Sequence, residues 1–207
     1  YNPERMHFGV LRVLNDDKVS GGKGFGMHPH DNMEIISIPL SGALKHKDSM
    51  GNTHVIEKGD VQVMSAGTGI YHSEFNQNNT DNVEFLQIWV FPNKKNVEPR
   101  YDQVTFSAEK RRNKLQQILS PNPDDEGVWI HQNAWFYLTD IDKEKSLDYS
   151  LNDHSNGVYV FVLEGEITVG EDSLGKRDGL GLKKVQQFSI KAREGAQVLI
   201  MEVPMHI

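Results

Sequence analysis

The chain of 207 residues contains no cysteine. Disulfide bonds and thiolate metal ligands are therefore excluded. No apolar run approaches the roughly 20 residues that a membrane-spanning helix needs. The first residues carry no cationic, apolar signal segment, and because the chain begins with Tyr1 rather than methionine, we expect further residues to precede it.

Positive charge is also scarce, since 22 lysines and arginines stand against 29 acidic residues for a formal net charge of −7. A protein that binds nucleic acid through phosphate contacts needs a basic face. The densest basic cluster, at residues 110–114, has helical spacing around it and is typical of a solvated helix face. We therefore expect a cytoplasmic protein that binds neither nucleic acid directly nor anionic membranes.

Short apolar segments separated by turn residues run through most of the chain. They are rich in β-branched and aromatic residues, as at residues 33–40, 61–64, 83–91, 158–163 and 198–203. Strands at such regular spacing predict an all-β protein built as an antiparallel sandwich or barrel. One helix is predicted, from about Ser107 to Leu119, with Ser107 as its N-cap.

The second half of the chain repeats the first. Residues 40–44 (LSGAL) match residues 163–167 (LEGEI), and residues 48–51 (DSMG) match residues 172–175 (DSLG). The recurrence of a strand, a turn glycine and a hairpin predicts a duplicated domain, with two unrelated hairpins of similar turn chemistry as the alternative.

Two pairs of residues are candidate metal ligands. His28 and His30 are two positions apart, and because successive strand side chains point to opposite faces, both imidazoles should project to one side. An isolated pair of this kind is more often a surface feature. His72 and Glu74 form a second such pair after a glycine-rich turn. Three imidazoles and one carboxylate would make a mixed nitrogen and oxygen site for a divalent transition metal, with room for water or substrate.

Glu34 is the alternative to Glu74. It follows His30 by four positions, so in a regular strand it would share the face of that imidazole and could be a ligand, a hydrogen-bond partner of a ligand or a base. The remaining histidines without a partner at useful spacing are interpreted as surface or packing residues: His7, His46, His54, His131 and His206.

These motifs resemble those of the cupin superfamily. Two groups of residues are similar to its two metal motifs: Gly22, His28, His30 and Glu34, then Gly67, His72 and Asn76. Longer strings at residues 24–52, 55–76 and 86–92 are similar to the pirin branch, and the resemblance covers nearly the whole chain. It implies two cupin-type antiparallel β-barrels, a bicupin, with a short connecting helix. We expect a metal-binding barrel at residues 1–98, then the linker helix and a metal-free barrel at residues 99–207.

In the pirin branch the ligands occupy the positions held here by His28, His30, His72 and Glu74. The resemblance implies one divalent transition metal per chain, with iron first and manganese, nickel, copper or zinc as alternatives. It implies two functions. The favoured one is cleavage of quercetin or a related flavonol with O2, in which Glu74 would accept the substrate hydroxyl proton. The alternative is a non-enzymatic regulatory protein whose protein partner the sequence does not identify.

The repeat also predicts that the C-terminal barrel binds no metal. In the second copy of the repeat, the positions equivalent to His28, His30 and Glu34 hold residues without an imidazole: Leu151, Asp153 and Gly157. The position of His72 falls within residues 187–191, which also contain no histidine. His154 is one position away from the expected place, and a slip of one residue moves a strand side chain to the opposite face.

Overall fold

A computed structural model describes residues 2–206, which contain nineteen β-strands and two short 3₁₀ helices, at Pro3–Arg5 and Ala108–Arg111. The earlier strands are β1 (Leu11–Val19), β2 (Gly24–His30), β3 (Glu34–Ser41), β4 (Ala43–Asp48), β5 (Thr53–Glu57), β6 (Asp60–Ser65), β7 (Ile70–Asn76), β8 (Val83–Val90), β9 (Arg100–Thr105) and β10 (Gln116–Ser120). The later strands are β11 (Val128–Trp129), β12 (Trp135–Ile141), β13 (Ser146–Ser150), β14 (Gly157–Glu164), β15 (Ile167–Val169), β16 (Asp172–Leu174), β17 (Gly179–Leu182), β18 (Gln187–Ala192) and β19 (Ala196–Val203). Among residues 2–206, no helix is long and apolar enough to cross a bilayer.

The strands form two compact units. Residues 11–106 and 127–132 make up the N-terminal unit, and the C-terminal unit consists of residues 2–10, 107–126 and 133–206 of the described chain. These units are defined by packing, so the domain division at residue 98 stays a prediction.

The N-terminal unit is a sandwich of two antiparallel sheets. One has the strand order β1-β8-β3-β6-β9 and the other the order β2-β7-β4-β5. The burial pattern follows from the position of each strand. Strand β3 lies between β8 and β6, and its residues 34–39 are buried. Strand β4 alternates buried and exposed residues. The two sheets are separate in the described chain, so the unit is an open cupin sandwich rather than a closed barrel.

The C-terminal unit repeats this arrangement. Its strands run in the orders β10-β12-β19-β14-β17 and β13-β18-β15-β16. The turn glycines identified in the sequence repeat are equivalent here, because Gly42 (φ +71°) ends β3 and Gly165 (φ +82°) ends β14. Both lie in the left-handed region that glycine adopts without strain. The duplicated, all-β cupin fold is therefore confirmed.

The predicted helix from Ser107 to Leu119 is wrong in its extent. Only Ala108–Arg111 form a single 3₁₀ turn, and the Ser107 side chain makes no capping hydrogen bond. Asn113 has a φ of +52°, which interrupts a right-handed helix. Residues Gln116–Ser120 instead form β10, whose Ile118 and Leu119 are buried. Pairing with β12 outweighs the local helical pattern.

Candidate metal centre

Three imidazoles meet between the two sheets of the N-terminal unit. His28 and His72 are directly opposite in the β2–β7 ladder, and their ring centroids are 4.4 Å apart. The His30 ring lies 4.9 Å from each of them. One nitrogen from each ring can be chosen so that all three lie within 4.8 Å of one another. The three predicted imidazoles therefore come together, whereas Glu74 does not group with His28 and His30, and the assignment of all four residues as ligands stays a prediction.

The hydrogen bonds of these rings fit a metal ion. The Nδ1 atom of His28 lies 2.7 Å from the carbonyl oxygen of Gly26. Because a carbonyl only accepts, Nδ1 must donate, which leaves the Nε2 lone pair free. Both ring nitrogens of His72 are buried without a hydrogen-bond partner in the described chain. Buried polar atoms without partners are costly, and a bound ion would satisfy one of them.

Burial and neighbouring groups lower the pKa of two of the imidazoles. Burial, followed by electrostatic interactions with His28 and Arg12, lowers the pKa of His30 to about 4. Burial, followed by His28 and His30, lowers the pKa of His72 to about 3. Both rings are therefore unprotonated at neutral pH, which is the form that binds a divalent ion.

Glu74 lies beside this cluster and is 1% exposed. Its carboxylate oxygens accept hydrogen bonds from Ser37 Oγ at 3.1 Å and from Gln87 Nε2 at 2.5 Å. Burial raises the pKa of Glu74, against the effect of these two donors. One carboxylate oxygen of Glu74 and one ring nitrogen each of His46 and His72 lie within 4.8 Å of one another. Glu74 therefore adjoins the imidazole cluster through His72.

Glu34 faces the other way. Residues 31–33 form a bend in which Asn32 has a φ of +44°, so His30 and Glu34 do not belong to one regular strand. Glu34 opens β3, and Ser37, which contacts Glu74, is three positions later on the opposite face. The Glu34 carboxylate accepts a hydrogen bond from Ser65 Oγ at 2.7 Å. Among the described residues, two groups of side chains could hold a metal ion, and Glu34 belongs to neither of them.

Burial nevertheless gives Glu34 unusual acid–base behaviour. The side chain is 1% exposed, and burial raises its pKa to about 7. The hydrogen bond from Ser65 and the charge of Arg100 oppose that shift without cancelling it. Glu34 is thus a titrating group in the neutral pH range that lies on the reverse face of the sheet.

His46 is a residue whose position the sequence reasoning missed. Its side chain is fully buried, with the ring centroid 5.5 Å from that of His72. Its Nε2 lies 3.1 Å from Asp48 Oδ2, and its ring packs 4.8 Å from the ring of Tyr101. A signal was present in the sequence, because Leu44, His46 and Asp48 alternate with exposed lysines. Such a pattern places a histidine and a carboxylate together on the inner face of β4.

Ser37 and Gln87, the two donors to Glu74, were also missed. Each is a single polar residue inside an apolar strand, in the strings EIISIPL and FLQIWV. A polar side chain in a buried strand needs a hydrogen-bond partner, so the type and place of these residues were the available signal.

The cluster opens on the side of β2. His28 and His30 are half-buried, whereas His72 is 1% exposed. The half-buried Trp89 stands next to His30, with 4.9 Å between the ring centroids and an interplanar angle of 81°. A ligand reaching the imidazoles from this side would pass the indole of Trp89.

Comparison with known proteins gives matches along most of the chain. The family model described as Pirin matches residues 1–90, and that described as Quercetinase C-terminal cupin domain matches residues 117–203. Quercetin 2,3-dioxygenase of Escherichia coli K12 is 37% identical over 99% of this chain and 87% of its own length. A putative quercetin 2,3-dioxygenase of Zymomonas mobilis is 38% identical over 97% of this chain and 85% of its own.

Solved structures agree with these matches. Crystalline YhhW from Escherichia coli superposes with a TM-score of 0.93 at 36% identity, covering 100% of this chain and 87% of that protein. The complex of the bacterial pirin YhhW with nickel(II) gives a TM-score of 0.92 at 36% identity, covering 99% and 86% of the two chains. Identity at this level over nearly the full length shows that the chain belongs to the pirin family.

Proposed function

We propose that this chain is a metal-dependent dioxygenase that cleaves quercetin or a related flavonol with O2. The observation that carries the proposal is the cluster of three imidazoles, open on one side and adjoined by a buried carboxylate. Such a donor set suits a divalent transition metal with coordination positions left for substrate. Relatives named quercetin 2,3-dioxygenase support the substrate class.

In this proposal His28, His30 and His72 hold the metal and Glu74 completes the set, with one metal per chain. Iron is our first choice, and manganese, nickel, copper and zinc are alternatives, since nitrogen and oxygen donors discriminate poorly between them. The nickel(II) complex of YhhW supports a divalent ion. When bound, the metal would supply a Lewis acid for an anionic substrate oxygen and a centre that reacts with dioxygen.

The protein residues would position the substrate and move its proton. Glu74 would accept the proton of the substrate hydroxyl, because its carboxylate lies beside the imidazole cluster. Ser37 and Gln87 would keep the carboxylate in place during that transfer. Trp89 would form one wall for a planar ring and exclude water beside His30.

The test is reconstitution with each of the five metals under anaerobic conditions, followed by metal analysis and O2 uptake with quercetin. We expect one metal per chain and uptake that needs both quercetin and the metal and stops on chelation. His72→Ala is the inactive control, and His154→Ala, an exposed histidine of the other unit, is the active one. Fully metallated protein that consumes no O2 with any of several flavonols would contradict the enzyme and favour the regulatory alternative. Cytoplasmic location and the absence of a nucleic-acid partner stay predictions.

A further inference from the structure

A β-bulge turns one arginine toward the open side of the metal centre. In the ladder of β1 with β8, Leu11 pairs with Val90 and Val13 pairs with Trp89, so Arg12 is an extra residue without a partner position. A bulge of this kind redirects the side chain that it inserts. The guanidinium carbon of Arg12 accordingly lies 5.7 Å from the Trp89 ring centroid and 5.3 Å from that of Phe91.

These contacts bring a positive charge close to the imidazole cluster. The ring centroid of Trp89 is itself 4.9 Å from that of His30. The Arg12 side chain is exposed, whereas both rings beneath it are half-buried. The guanidinium therefore lies at the open side of the imidazole cluster, next to Trp89, which we call the entrance. One of its faces is against the aromatic rings, and its N–H groups are available to a ligand.

Acidic residues also act electrostatically on the cluster: Asp31 on His30, Asp48 on His72 and Asp17 on Glu74. The entrance carries the Arg12 cation on its Trp89 side. A ligand with two separated negative groups is therefore bound best in one orientation.

We propose that Arg12 selects the substrate. The preferred class is a planar aromatic molecule that chelates the metal through adjacent oxygens and carries a further ionised oxygen group, which pairs with the guanidinium. This rests on the proposed function for the imidazole site. A guanidinium donates two parallel N–H groups to a carboxylate, and stacking on Trp89 would restrict its orientation before the ligand arrives.

The test measures binding rather than turnover. Nickel-loaded protein is titrated calorimetrically under argon with catechol and with 3,4-dihydroxybenzoate, which share the chelating pair and differ by one carboxylate. Arg12→Gln should weaken dihydroxybenzoate binding about tenfold, the scale of one charged hydrogen-bonded contact, and change catechol binding less than twofold, about the scatter of such titrations. The affinity of Arg12→Lys for 3,4-dihydroxybenzoate should be intermediate between those of wild type and Arg12→Gln, since an ammonium cannot donate two parallel N–H groups to a carboxylate. Comparing each variant with wild type cancels the different acidity of the two catechols.

Lys18→Gln is the matched control, because it removes one positive charge from the same strand while its ammonium pairs with Glu84. It should leave the preference for dihydroxybenzoate unchanged. Equal weakening of both probes by Arg12→Gln, no weakening of either, or failure of both to bind wild type would overturn the role of Arg12. A retained charge preference without O2 uptake on quercetin would instead reject the proposed reaction and leave this inference standing.

Discussion

His28 and His72 lie directly opposite each other across β2 and β7, and their rings are 4.4 Å apart. The hydrogen bond from His28 Nδ1 to the Gly26 carbonyl oxygen leaves Nε2 as the available lone pair. His72 has no hydrogen-bond partner on either nitrogen within the described chain. One strand pairing thus brings an oriented imidazole and an unpartnered one together.

This pairing predicts that His72→Ala abolishes stoichiometric metal binding. Removing the buried imidazole leaves His28 and His30 without the ring that connects them to Glu74, and we expect this incomplete set to be too weak to retain an ion through purification. Metal per chain, measured by mass spectrometry, should fall from about one to near zero. His154→Ala should keep the full amount, and full occupancy in His72→Ala would remove this site from consideration.

Glu74 and Glu34 should respond differently to the same substitution. Glu74→Gln should retain much of the metal and lower turnover by roughly 10²- to 10⁴-fold, the usual effect of losing a general base. Glu34→Gln should leave metal content and turnover near wild type, because its carboxylate faces Ser65 on the other side of the sheet. Loss of metal in Glu34→Gln together with normal turnover in Glu74→Gln would reverse these assignments.

His46→Ala should weaken both the fold and the site. Deleting a fully buried ring beside His72 leaves a cavity and removes one of the two hydrogen-bond partners of Asp48 Oδ2, the other being Asn52, which we expect to cost roughly 2–4 kcal/mol of unfolding free energy. Metal affinity should fall about 10- to 100-fold, as when a residue supporting a ligand is lost. Urea unfolding and competition with a chelating dye measure the two effects.

His54→Ala is the control for that experiment. His54 is the direct cross-strand partner of His46 but is exposed. Its removal should change unfolding free energy by less than about 1 kcal/mol, as is usual for surface positions. Equal effects of the two substitutions on unfolding free energy would show that burial of His46 does not stabilise the fold.

The raised pKa of Glu34 predicts that the stability of the fold decreases as pH rises. Because the folded pKa, about 7, is above the unfolded value near 4.5, the native state binds the extra proton between these values, and stability falls as pH rises through that window. Glu34→Gln should remove this decline, so its stability relative to wild type should improve by roughly 3 kcal/mol between pH 4 and pH 8. Urea titrations at both pH values measure it, and a constant difference between variant and wild type would contradict the shifted pKa.

Local patterns in the sequence were sufficient for the histidine pairs and the repeat. Residues two apart on a strand share a face whatever the strand packs against, so His28 with His30 and His72 with Glu74 could be recognised directly. Equivalent turn glycines, Gly42 and Gly165, likewise report a local backbone conformation that few other residues adopt.

The sequence by itself therefore determined the all-β cupin repeat and three imidazoles on inward strand faces. Only the tertiary structure decided where the two candidate carboxylates lie: Glu74 is next to His72, and Glu34, beyond the bend at Asn32, is on the reverse face of its sheet. It also decided that residues 116–120 form a strand, that His46 is buried against His72, and that a bulge places Arg12 over Trp89. Each of these depends on partners distant in sequence, and cross-strand pairing and burial outweigh local propensity where the two disagree.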